Sequence, residues 1–125
     1  MSVQFVESEW VTVSVKGVEA RLLVREPNAM EGARYYAAVD KHREAMKTDI
    51  EALERIIQTH INLLVACVLD SENFEPAFPK GGTDKDRAAW ISRIPWTDVS
   101  SIAATVATVG YPKTSAGSNG ETSPG

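Results

Sequence analysis

A single cysteine, Cys67, excludes a disulfide framework and suits a reducing compartment. Basic charge is also short. Thirteen Lys and Arg against 17 Asp and Glu leave a formal net charge of −4, without the clustered basic excess that nucleic-acid phosphates require. No apolar run approaches the ~20 residues needed to cross a bilayer. The opening MSVQFVESEW lacks the basic region and apolar stretch of a secretory leader. Metal signatures are missing too: there are no paired cysteines and no HExxH spacing. Asp70, Glu72 and Glu75 are acidic but lack the Asx-rich run and central glycine of an EF-hand loop. Gly81-Gly82-Thr83 has neither the preceding strand nor the Gly-Lys-Ser/Thr ending of a phosphate loop. The expectation is a soluble intracellular protein with no cofactor, no metal, and no nucleic-acid or membrane partner.

Glycine and proline are absent between Gly32 and Pro76, and this absence leads to what is present. Val11, Val13 and Val15 alternate with Thr12 and Ser14, the period-two pattern of a half-buried strand. The alternation resumes at Val18, Ala20, Leu22 and Val24 after Lys16-Gly17, a two-residue loop suited to a primed hairpin turn. The implied register sets Val15 against Val18, Val13 against Ala20 and Val11 against Leu22, with Thr12, Ser14, Glu19 and Arg21 on the opposite face.

Pro27 stops the second strand, and Asn28 with Glu31 forms a capping-box pair for a helix from about Ala29 to Met46. Its apolar positions are Met30, Ala33, Ala37 and Val39, among many charges. Thr48 and Glu51 repeat the capping signature for a second helix from about Thr48 to Leu69, roughly 33 Å long at 1.5 Å per residue. Ile50, Leu53, Ile57, Ile61, Leu64 and Val68 form its apolar stripe, widened by Ile56, His60 and Val65. The MKTD junction carries a cap but no breaker, so two helices or one bent helix both fit it. Residues 71 to 83 read as loop, with room for a short extended piece. A helix follows from about Asp84 to Arg93, then a last one after Pro95, capped by Thr97 or Asp98 and closed by Gly110. The fold class is α+β: an N-terminal β-hairpin packed on a mainly helical domain of about four helices. Residues 1–112 form one domain, and 113–125, with no bulky apolar residue, read as a disordered tail.

Candidates for chemistry are few. His42 lies in the charged run DKHRE and reads as part of a solvated helix face, whereas His60 borders the apolar stripe and reads as a satisfied, partly buried histidine. Cys67 falls near a helix C-terminus, where the dipole disfavours a thiolate. No catalytic residue is assigned. Trp90 and Trp96, with Ile94, lie in WISRIPW, which reads either as core anchoring or as a partner patch. Leu64, Val65 and Val68 read likewise as core or interface, and the apolar surplus of their helix implies self-association.

The order of these elements resembles the tail assembly chaperones of long-tailed (siphovirus-type) bacteriophages and prophages. The residues that carry the resemblance are Leu22-Leu23-Val24-Arg25-Glu26-Pro27, a long charged helix, an apolar helix ending Ala66-Cys67-Val68-Leu69-Asp70, a loop with Phe78, and a closing helix ending near Gly110. The likeness spans about residues 10 to 111. It implies a non-enzymatic protein that coats the tape measure protein, recruits major tail protein during tail assembly in the host cytoplasm, and is absent from the mature virion. It also implies a longer frameshifted form. Tyr111-Pro112-Lys113 is compatible with slippery codons at which only the tail would be replaced. The alternatives are a virion structural or head-tail connector protein, or a small enzyme using His60 or Cys67.

Overall fold

The computed structural model describes residues 2–111, so the expected tail and the slippage site's Pro112 and Lys113 lie outside the described residues. Strands β1 (Glu9–Val15) and β2 (Val18–Val24) pair antiparallel in the expected register, Val15 opposite Val18, Val13 opposite Ala20 and Val11 opposite Leu22. Lys16 and Gly17 both take positive φ, 54° and 78°, which matches the right-handed strand twist through a type I′ turn. Val11, Val13, Ala20, Leu22 and Val24 are buried.

The sheet has a third strand. β3 (Val68–Glu72) pairs antiparallel with β2, giving the order β1-β2-β3. The apolar run INLLVACVLD therefore divides, with its first seven residues ending a helix and its last three beginning a strand. Val68 adopts φ −77° and ψ 131°, extended geometry, straight after the helix. No glycine marks the change; the carbonyl of Cys67 is instead taken by the backbone N–H of Arg25 at 3.0 Å. A β-branched residue with a waiting strand partner switches the chain where a periodic pattern runs on.

Helix α1 (Ala29–His42) starts on the expected capping box, with Asn28 Oδ1 accepting from the Glu31 N–H and Glu31 Oε1 from the Asn28 N–H, both at 2.9 Å. It ends earlier than Met46. A short 3₁₀ turn (Ala45–Lys47) separates it from α2 (Ile50–Cys67), which is about 27 Å long at 1.5 Å per residue. Asp49, not Thr48, caps α2, its side chain accepting the Glu51 N–H at 3.0 Å. Thr83 and Asp86 form a second capping box at the start of α3 (Asp84–Ile91). α4 (Trp96–Ala107) begins on Pro95 without a side-chain cap. Asp98, expected as its cap, instead accepts the Lys16 N–H at 3.1 Å and ties α4 to the hairpin turn.

The core lies between the inner sheet face and α2, α3 and α4, with Leu22, Val24, Leu64, Cys67, Ile91, Val99 and Val106 almost fully buried. At its rim Gly110 takes φ 93° and lies against Glu26, so that a Cβ there would stand 1.8 Å from Glu26 Oε2. Glu26 also accepts the Val6 N–H at 3.3 Å. Gly110→Ala should thus cost on the order of 1–3 kcal/mol through strained φ and displacement of Glu26. Chemical denaturation measures it, and an unchanged midpoint would mean that this contact does not hold the end of α4.

Candidate protein-interaction surface

α1 packs through a single buried residue, Tyr35, and partly through Ala38 and Val39. The face expected to be its apolar seam points outward. Met30 is 60% exposed, Ala33 and Ala37 are exposed beside it, and Tyr36 is 54% exposed. Positions 30, 33 and 37 recur at three and four residues, so they form one stripe along the helix. The stripe is set outward because the bulky Tyr35, on the opposite side of α1, takes the inward place that small alanines would leave partly empty.

Clefts flank this ridge on both sides. The larger, of about 400 Å³, runs between α1 and α2 with Tyr35, Ala38, Leu63 and Ala66 in its lining and Glu31, Arg34, Thr59 and Asn62 as its polar groups. The other, of about 280 Å³, lies between α1 and the end of α4, where Ala29, Gly32, Ala33 and Tyr36 face Val109 and Tyr111. Tyr111 is exposed. Alanines at the walls keep both clefts open to side chains of a partner.

The residues singled out in the sequence are not gathered here. Leu64, Val68, Trp90 and Ile94 are buried in the core, and Val65 is partly buried against it. Of the two readings, core and partner patch, these positions take the first: they lie in or against the interior of the single chain. Trp90 Nε1 donates to the Pro76 carbonyl at 2.9 Å, and its ring meets Phe74 and Phe78 edge-on at 4.9 and 5.2 Å. Trp96 differs. As the first residue of α4 it projects outward, 52% exposed. The α1 stripe and the Tyr35 cleft were missed as a site, although Met30, Ala33 and Ala37 already marked the stripe; their smallness hid which way it would face.

The reactive groups are held apart and unactivated. Cys67, the last residue of α2, is fully buried, and burial pushes its thiol up to about 11, so it carries no thiolate at neutral pH. His60 lies seven positions earlier on α2, roughly 10 Å along the axis. It is buried, its ring rests 5.4 Å from that of Tyr35, and its Nδ1 has no hydrogen-bond partner. Burial lowers its pKa. His42 is half-buried at the end of α1. Among the described residues no group of His, Cys, Asp and Glu is arranged to hold a metal ion, and no helix is long and apolar enough to cross a membrane.

Comparison with protein-family models, curated proteins and solved structures returns no match.

Two measurements follow from this placement. Trp90→Ala should cost the ~3–5 kcal/mol of a buried aromatic truncation, whereas Trp96→Ala should change stability by less than about 1 kcal/mol; equal effects in urea titrations would contradict these positions. The second concerns His60. Its folded pKa lies below the ordinary value of about 6.5, so the unfolded chain binds the proton more readily. Stability should be complete above that value and decline as pH falls below it. His60→Leu should flatten the decline between about pH 7 and about pH 5.5, and a slope unchanged by the substitution would rule out His60 as its source.

Proposed function

We propose that this chain is a non-enzymatic assembly chaperone that holds an amphipathic helical segment of another protein. Following its resemblance to the tail assembly chaperones of long-tailed bacteriophages, we assign that partner as the tape measure protein. Major tail protein is recruited to the complex during assembly in the host cytoplasm, and the chaperone leaves before the virion is complete.

The observation that supports this reading is the α1 ridge. Met30, Ala33, Tyr36 and Ala37 present an exposed apolar stripe between two open clefts. Helix-in-groove recognition uses such features, with anchors from the partner at three- and four-residue spacing entering apolar clefts. A tape measure protein is a long helix that aggregates alone, and a cover with an acidic exterior, net charge −4, keeps such a complex soluble.

Ala33→Glu with Ala37→Glu tests it. Both sites are exposed and glutamate is a good helix former, so stability should move by less than about 0.5 kcal/mol per site. Affinity for the tape measure protein should fall at least about tenfold, measured by titration calorimetry. Full-affinity binding by the folded double variant would refute the ridge as the docking surface. Detection of the chain in purified virions at structural copy number would favour a virion component instead.

A further inference from the structure

β1 is an edge strand of unusual openness. It pairs with β2 on one side only, and its seven residues, EWVTVSV, hold no proline, no lysine and no bulge. Those are three of the devices by which natural sheets blunt an edge against pairing with another chain; the strand's one charge, Glu9, stands at its first position. Val15 and Val18 close the two-residue turn, so the odd-numbered residues of β1 bond to β2, and Trp10, Thr12 and Ser14 direct their N–H and C=O groups outward. Thr12 and Ser14 are exposed, and a groove of about 190 Å³ runs beside them, walled by Asp98, Ser101 and Thr105 of α4.

The chain also carries an arm outside the sheet, held to the domain at Val6, which packs against the core and donates its N–H to Glu26. Residues 2–8 lead into β1 outside any helix or strand, and Val3 and Phe5 are 80% and 82% exposed. The arm holds neither glycine nor proline to reverse it onto its own β1 edge. The edge it can reach belongs to another copy.

We propose that the outer edge of β1 is a self-association surface, on which β1 of a second copy pairs antiparallel and lays its N-terminal arm along the first. Such a contact is isologous and closes at two copies. With the two-fold axis at Val11, Trp10 of each chain stands opposite Thr12 of the other, and Ser8 opposite Ser14, so the outward groups meet in phase. The same register carries Phe5 of each arm opposite Gly17 of the other copy's turn. Beside that turn is an open cleft of about 170 Å³ with Val15, Phe74, Pro76, Trp90 and Ile94 as its apolar wall and Lys16, Glu75 and Arg93 at its rim. A benzene ring needs a space of about 150 Å³, so the cleft is large enough for one phenylalanine ring against its apolar wall. The arm bends at Glu7 in the single chain; straightened along the second copy, it would bring Phe5 into phase with Val11 and Val13, on the helix-covered side of the sheet where this cleft opens. The dimer is a continuous six-stranded sheet, and it leaves the α1 ridge free.

Sedimentation of the full chain, with hydrogen exchange read amide by amide, tests this. The expected result is a dimer in which the amides of Trp10, Thr12 and Ser14 gain protection as concentration rises. Thr12→Pro removes an outward N–H that β2 does not use and should give a folded monomer. Should that variant fail to fold, Thr12→Lys places an edge-blocking charge at the same position and should also give a monomer. Phe5→Ala should weaken the dimer about tenfold. A chain that stays monomeric at high micromolar concentration overturns the proposal. So does a dimer whose β1 amides stay unprotected, or one that survives the Thr12 substitution.

Discussion

The guanidinium of Arg25 is the point on which the arrangement of the other segments depends. It donates to both carboxylate oxygens of Glu31, at 2.8 and 2.7 Å, and to the carbonyl of Glu26 at 3.1 Å, while its own backbone N–H holds the last carbonyl of α2. Glu31 is the same residue that closes the α1 capping box. One residue thus fixes the end of β2, the first turn of α1 and the end of α2 relative to one another, its side chain holding α1 and its backbone N–H holding α2. Glu26 extends the junction by accepting the arm at Val6 and meeting Gly110. The basic-acidic-proline turn is where five separate stretches of the chain converge.

The electrostatics of the junction follow from that geometry. Hydrogen bonding to Arg25 holds the Glu31 carboxyl below its usual range, and the same bond raises Arg25. Because the folded pKa of Glu31 is depressed, its stabilisation is complete above the ordinary carboxylate value of about 4.3 and is lost as pH falls through the lowered one. Both side chains keep part of their surface in water, so screening limits the energy of the pair. Its importance is geometric: a bidentate contact fixes direction as well as distance. Direction matters here because α1 has little else to orient it, with Tyr35 alone fully inside.

Much of the fold was legible because its signals are local. The hairpin needed only alternation and a Lys-Gly loop, and the α1 cap needed only Asn28 and Glu31 at the right spacing. The elements that misled were decided by tertiary partners. Val68 and Leu69 continue a helical stripe in the sequence, yet β2 offered hydrogen bonds that made extended geometry better. Trp90 and Ile94 looked available to a partner until Pro76, Phe74 and Phe78 came to surround the tryptophan. Alanine pattern identified a face on α1 but carried no information on its direction. The opposing tyrosine set that direction through volume, which a periodicity argument ignores.

The same reasoning separates the two surfaces that this chain leaves open. The apolar surplus expected to drive self-association was assigned to α2, but Ile56, Ile61, Leu63 and Leu64 are buried within one copy. Beyond single exposed residues such as Ile50 and Trp96, the two open surfaces differ in chemistry. The α1 stripe offers side chains, Met30, Ala33, Tyr36 and Ala37, on a helix whose backbone groups beyond the first turn are bonded within it, so what it presents is mainly shape and apolar surface. The β1 edge offers backbone donors and acceptors in fixed register, which suits a partner of matching geometry such as an identical strand. Helix and strand surfaces of this kind do not compete, because they lie on different elements and satisfy different groups.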